Sequence, residues 1–130
     1  MSQKAIELIL ARQLASYVAL PVFIVDPDGL LLFYNEPAEH ILGRRFAETG
    51  ELPLAEWATL FRPTDEAGNP LSEDELPLVI ALRERKPAHR SLYIQGLDGH
   101  RRLIDVTAFP LIGQMRRFLG GVALFWEPPT

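Results

Sequence analysis

A chain of 130 residues, 48% of them hydrophobic, is long enough to bury a core and too apolar to remain disordered. It contains no cysteine, which removes disulfides, thiolate nucleophiles and cysteine-held metals or clusters. A net charge of −4 and a pI near 5.3 disfavour nucleic acid as a partner, and no apolar run approaches the ~18 residues of a membrane span, so the sequence reads as a soluble, cytoplasmic protein without a signal peptide.

Residues 2–20 are predicted to form a flanking helix, capped by Ser2 and stopped by Pro21, because the residue before a proline avoids the α region. Two apolar rows run along it, Ile6/Leu10/Leu14 and Leu8/Ala11/Ala15/Val18. A helix apolar on two sides wants two neighbours. One row is therefore expected against the domain of residues 21–127, and Ile6, Leu10 and Leu14 are the candidate dimer contacts.

The stretches "PVFIVD" and "LLLFYN" read as strands joined by a turn at Asp28-Gly29. Their unbroken apolar runs imply a sheet covered on both faces, with the N-terminal helix as the second cover. Asn35 suits a helix N-cap, Pro37 and Glu39 suit the first turn of "EPAEHIL", and Gly43 suits its end. Residues 44–70 hold short elements, with "LPLAEWATLF" helical and "RPTDEAGNP" a loop.

The stretch "LSEDELPLVIALRERKP" is the second clear helix. Ser72 and Glu75 fit a capping box, and Leu78, Val79 and Leu82 form its buried row. Pro77 removes one N–H, so the helix either kinks there or begins there. Three strands follow, "HRSLYIQG", "HRRLIDVTAFPL" and "RFLGGVALFWE". Asp98-Gly99 gives a type I′ hairpin signal between the first two, and Gly113 to Arg117 carries the second connection. Residues 128–130 are a tail. The predicted fold class is α+β: a five-stranded antiparallel sheet, last strand beside first, with a helical crossover on one face and the N-terminal helix on the other.

This order and these words resemble a PAS domain over residues 15–127. The stretch "VDPDGLLLFYNEPAEHILG" is similar to the family's opening hairpin, Asn and short helix. "GNPLSEDELPLVIALRERKPA" resembles its long helix and the segment before it, and "LDGHRRLIDVTAFPLIG" with "LGGVALFWE" its closing strands. The resemblance implies a sensory or interaction module whose helices and sheet enclose a cavity, without naming a ligand. Light-sensing flavin-binding members need a Cys for their adduct, and members with a thioester-linked chromophore need one too. The absence of Cys excludes both here. Haem-binding members supply a His from the long helix, and residues 73–86 contain none, which disfavours haem.

The three histidines, His40, His89 and His100, match no metal-ligand spacing. His40 and His100 are expected in solvent, and His89, just past the long helix, to tilt toward the cavity. Asp105 sits mid-strand opposite the Ile104/Val106/Ala108 face, where a carboxylate is unusual; it is expected to pair with Arg101, Arg102 or an arginine of the next strand. No phosphate loop, nucleophile elbow or metal cluster is present, and no catalytic residue is assigned. The basic pairs Arg44-Arg45, Arg101-Arg102 and Arg116-Arg117 read as solvated surface.

The candidate pocket residues are Phe33, Phe46, Trp57, Phe61, Leu78, Leu82, Tyr93, Ile104 and Phe125. The functional expectation is a sensory or regulatory module that dimerises and binds a small apolar or planar ligand. It would pass a conformational change to a signalling partner. A ligand-free interaction module is the alternative, and a small enzyme built on Asp105 a third.

Overall fold

The computed structural model describes residues 6–129; the predicted Ser2 cap, the start of the predicted helix and Thr130 lie outside the described residues. The helices are α1 (Ile6–Ala15), α2 (Glu36–Leu42), α3 (Phe46–Thr49), α4 (Leu54–Leu60) and α5 (Pro77–Glu84). The strands are β1 (Val22–Val25), β2 (Leu31–Tyr34), β3 (Ala88–Gln95), β4 (Arg101–Ile112) and β5 (Phe118–Trp126). All five pair antiparallel in the order β2-β1-β5-β4-β3, so the last strand does lie beside the first. This is the expected α+β architecture.

The uninterrupted "VFIV" of β1 is buried on both faces. Phe23 and Val25 enter the inner core, beneath α2, α4 and α5, while Val22 and Ile24 enter an outer core with Leu8 and Ala15 of α1. A β-bulge in β2 departs from simple alternation. Ile24 pairs with Phe33 but Val25 with Leu31, leaving Leu32 extra, so Leu32 and Phe33 both join the outer core while Leu31 and Tyr34 join the inner. The outer strands carry short bridges. Leu31 of β2 pairs with Leu52, Tyr93 of β3 pairs with Thr64, and the Gln95 N–H donates to the Phe61 carbonyl at 2.7 Å.

Three local expectations change. α1 ends at Ala15, not at residue 20, so Pro21 is not its terminator. Residues 16–18 form turns closed by Tyr17 N–H to Leu14 O and Val18 N–H to Ala15 O, and a side chain from α2's start takes the Ala15 carbonyl. The β3–β4 connection is not type I′: Gly99 has φ +86 but Asp98 does not have positive φ, and Gly99 N–H bonds back to Gly96 O at 2.9 Å. The I′ signature of two positive φ values falls instead on Met115 (φ 56) and Arg116 (φ 60) between β4 and β5. Pro77 begins α5 without kinking it, after a 3-10 turn at Glu73–Glu75 closed by the Ser72/Glu75 capping box.

Candidate functional site

Between the inner sheet face and the helices lies a cavity of about 100 Å³. The sheet supplies Phe23, Leu92, Ile94, Ile104, Val106, Ala123 and Phe125. Cross-strand pairing aligns them: Phe23 lies opposite Ala123, Val106 opposite Phe125, and Leu92 opposite Ile104. α4 contributes Trp57 and Ala58, and the start of α5 contributes Pro77 and Leu78, with Leu42, Phe61, Pro63 and Leu76 also in the lining. The polar atom of Trp57 is already spent, since its Nε1–H donates to the Gly29 carbonyl at 2.7 Å. The lining therefore offers an apolar surface and no free polar side chain. Such a wall selects for apolar molecules, and a dry apolar cavity of ~150 Å³ is enough for benzene or xenon. Among the described residues no group of three or more His, Asp or Glu is placed to hold a metal ion.

Of the nine predicted pocket residues, Trp57, Phe61, Leu78, Ile104 and Phe125 line this cavity. Four do not. The β2 bulge turns Phe33 to the outer face, where it packs on the outer core. Phe46, on α3, packs edge-on to Tyr34 beyond the cavity wall. Leu82 is buried on the far half of α5. Tyr93 falls between inward Leu92 and Ile94, so it faces outward under the Arg101 guanidinium, 3.9 Å from the ring centroid. Phe23 was missed because a strand buried on both faces carries no alternation; Ala123 and Val106 follow only once the register is known.

The titratable candidates lie away from the cavity. His89 is on the outer face and exposed, with Nδ1 2.9 Å from Thr107 Oγ1, so it does not tilt inward. His40 and His100 are exposed. Asp105 accepts a hydrogen bond from Ser91 Oγ on the neighbouring strand rather than pairing with an arginine. The two expected partners are engaged elsewhere, Arg101 on Tyr93 and Arg102 with Asp98 at 3.0 Å and Glu127 at 3.8 Å. Arg102 also donates to the Ile41 carbonyl, tying the end of α2 to the β3–β4 hairpin. That guanidinium and the His100 backbone N–H hold the Asp98 carboxyl down at about 2.

Two features connect α1 to the sheet and the crossover helices. Asn35, 1% exposed, uses its whole side-chain amide. Oδ1 accepts from Val22 N–H at 2.9 Å and, as the α2 N-cap, from Ala38 N–H at 3.2 Å; Nδ2 donates to Ala15 O at 2.9 Å and Leu20 O at 2.8 Å. The second feature is a run of rings around the β2 edge. Trp57 meets Phe23 at 5.4 Å, Phe23 meets Tyr34 at 6.0 Å, Tyr34 meets Phe46 at 5.3 Å, and Phe46 meets Phe33 at 5.6 Å. Arg12 of α1 lies over Phe33, 4.8 Å from the centroid. Within the run, burial lifts the Tyr34 phenol above its ordinary value, a hydrogen bond with Thr49 opposing it. On α1 itself Leu8 and Ala15 are buried, whereas Ile6, Leu10 and Leu14 are 68%, 56% and 66% exposed.

No protein-family model matches the sequence, nor does any curated protein. Solved structures do match. The PAS domain of Bordetella pertussis BvgS aligns with a TM-score of 0.70 at 16% identity, covering 97% of this chain and 89% of that one. The PAS domain of a Colwellia psychrerythraea protein aligns with a TM-score of 0.64 at 16% identity, covering 92% and 97%. The light-state dimer of the fungal blue-light photoreceptor Vivid aligns with a TM-score of 0.63 at 10% identity, covering 97% and 95%. These likenesses, together with the strand order, show that the chain adopts the PAS fold.

Proposed function

We propose that the chain is a sensory signalling module that binds a small apolar molecule in its central cavity and relays occupancy to α1, through which it pairs with a second copy. The apolar lining with its spent Trp57 N–H is the observation that carries this reading. A ligand shifts a conformational equilibrium only by binding the two states differently. Phe23 and Trp57 touch the cavity and stand at the head of the ring run that ends under Arg12, so a guest that moves either ring alters the seat of α1. The likeness to Vivid, crystallised as a light-state dimer, supports pairing by the same fold. In this reading the module performs no reaction and passes its state to a signalling partner.

Titration with benzene tests it, followed by the methyl resonances of Ile94, Ile104 and Val106 and the Trp57 indole. Saturable shifts at these groups, with slower or faster amide exchange in α1, are expected. An unresponsive cavity would leave the alternative, a ligand-free interaction module, which the exposed Ile6/Leu10/Leu14 row favours.

A further inference from the structure

We propose a second ligand site, beneath α1 on the outer side of the sheet, that takes a small monocarboxylate with an apolar tail. Two hollows meet there. The inner one, about 100 Å³, is walled by Leu8, Ile9, Ile24 and Leu32 with Arg12 at its rim. The outer one, about 380 Å³, opens past Ile9, Arg12 and Phe33 toward Gln13 and Ser16. Leu8, Ile24 and Leu32 are buried, so the deep end is an apolar slot between helix and sheet. It shares no wall residue with the central cavity, and the sheet stands between them.

Arg12 supplies the chemistry at the mouth. Its guanidinium carbon lies over two aromatic rings, 4.8 Å from the Phe33 centroid and 5.8 Å from that of Phe46. Among the described residues no carboxylate pairs with it. Its N–H groups donate to no acceptor among the described residues, which leaves the guanidinium fork free for a ligand. That fork matches the two oxygens of a carboxylate, and the cation–π contacts with the two rings hold the guanidinium at the rim. One cation at the rim of an apolar slot therefore specifies one anionic head with a hydrocarbon tail behind it. Ile6, Leu10 and Leu14 line neither hollow, so an occupant leaves the exposed row of α1 free.

Octanoate is the probe, titrated into the full chain and followed by methyl NMR. Saturable shifts are expected at Leu8, Ile9, Ile24 and Leu32 and not at Ile94 or Ile104. 1-Octanol, with the same tail and no charge, should bind at least tenfold more weakly. Arg12→Met, which keeps the stem at an exposed position, should weaken octanoate at least tenfold and leave 1-octanol unchanged. The proposal is overturned if no saturable shift appears at millimolar octanoate, if the shifts fall at Ile94 and Ile104, or if octanoate and 1-octanol bind the unmodified chain equally well.

Discussion

The side-chain amide of Asn35 donates to the carbonyl of Ala15 at 2.9 Å, and the same side chain caps α2 through Ala38 N–H. One residue thus ends the flanking helix and starts the next one. Asn35→Ala removes the cap, worth ~0.5–2 kcal/mol, and strands buried backbone groups that cost ~1–3 kcal/mol when unpaired. A total loss of about 3 kcal/mol is expected from urea unfolding. Asn35→Asp separates the roles: it still accepts from Val22 and Ala38 but cannot donate to Ala15 or Leu20, so amide exchange in α1 should quicken as in the alanine variant. An unchanged unfolding midpoint for Asn35→Ala would refute this account.

Gly120 has φ +132, and a Cβ there would sit 2.1 Å from the Val25 carbonyl oxygen. The collision is with backbone, so no rotamer relieves it. Gly120→Ala should lose more than ~4 kcal/mol or its cooperative unfolding altogether. Gly68 is the control: its φ is +86 but nothing lies within 4 Å of the added carbon, so Gly68→Ala should cost only the ~1–2 kcal/mol of left-handed strain.

Asp98 titrates at about 2 in the folded chain because Arg102 and the His100 N–H favour its charged form. The unfolded value is ~3.9, so the folded pKa is depressed. Its contribution to stability is then complete above the unfolded value and is lost as pH falls toward the folded one. The melting temperature of Asp98→Asn should lie below that of the unmodified chain at pH 6, with the gap closing between about pH 4 and pH 2. A gap that widens in acid would show that the pairing is wrong.

Ile6, Leu10 and Leu14 form an exposed apolar row on a helix whose other side is already buried. The proposed two-fold pair would bury this row with one surface used twice. Leu10→Glu with Leu14→Glu should lower the association constant in sedimentation without lowering the unfolding midpoint of the monomer. A chain that sediments as a monomer at high micromolar concentration before any substitution excludes the pairing.

Elements defined by local chemistry were legible in the sequence. Ser72 with Glu75, Asn35 before Pro37, and Gly43 at φ +80 each mark a helix end within a few residues of the helix they serve. The end of α1 was not legible, because its terminator is a side chain twenty residues downstream. The cavity divided along the same line. Trp57 and Phe61 on or beside α4, and Ile104 in an alternating strand, announce their side of the chain. Phe33 did not, since one bulged residue, Leu32, reverses the parity of β2. Tyr93 would have been placed correctly by counting from Leu92 and Ile94, whose burial fixes the inner face of β3.

The short bridges at Leu52 and Thr64 bear on what copies of this chain can build. An outer strand with a bare ladder is a template on which another chain adds, and repeated addition runs into a fibril. Here the first residue of β2 and Tyr93 in the last half of β3 already have their backbone partners, and the Gln95 N–H is taken by Phe61. Growth along the hydrogen-bonding direction is interrupted at both ends of the sheet. The pairing proposed through the exposed row of α1 differs in kind, because face-to-face contact about a two-fold closes on itself after one addition.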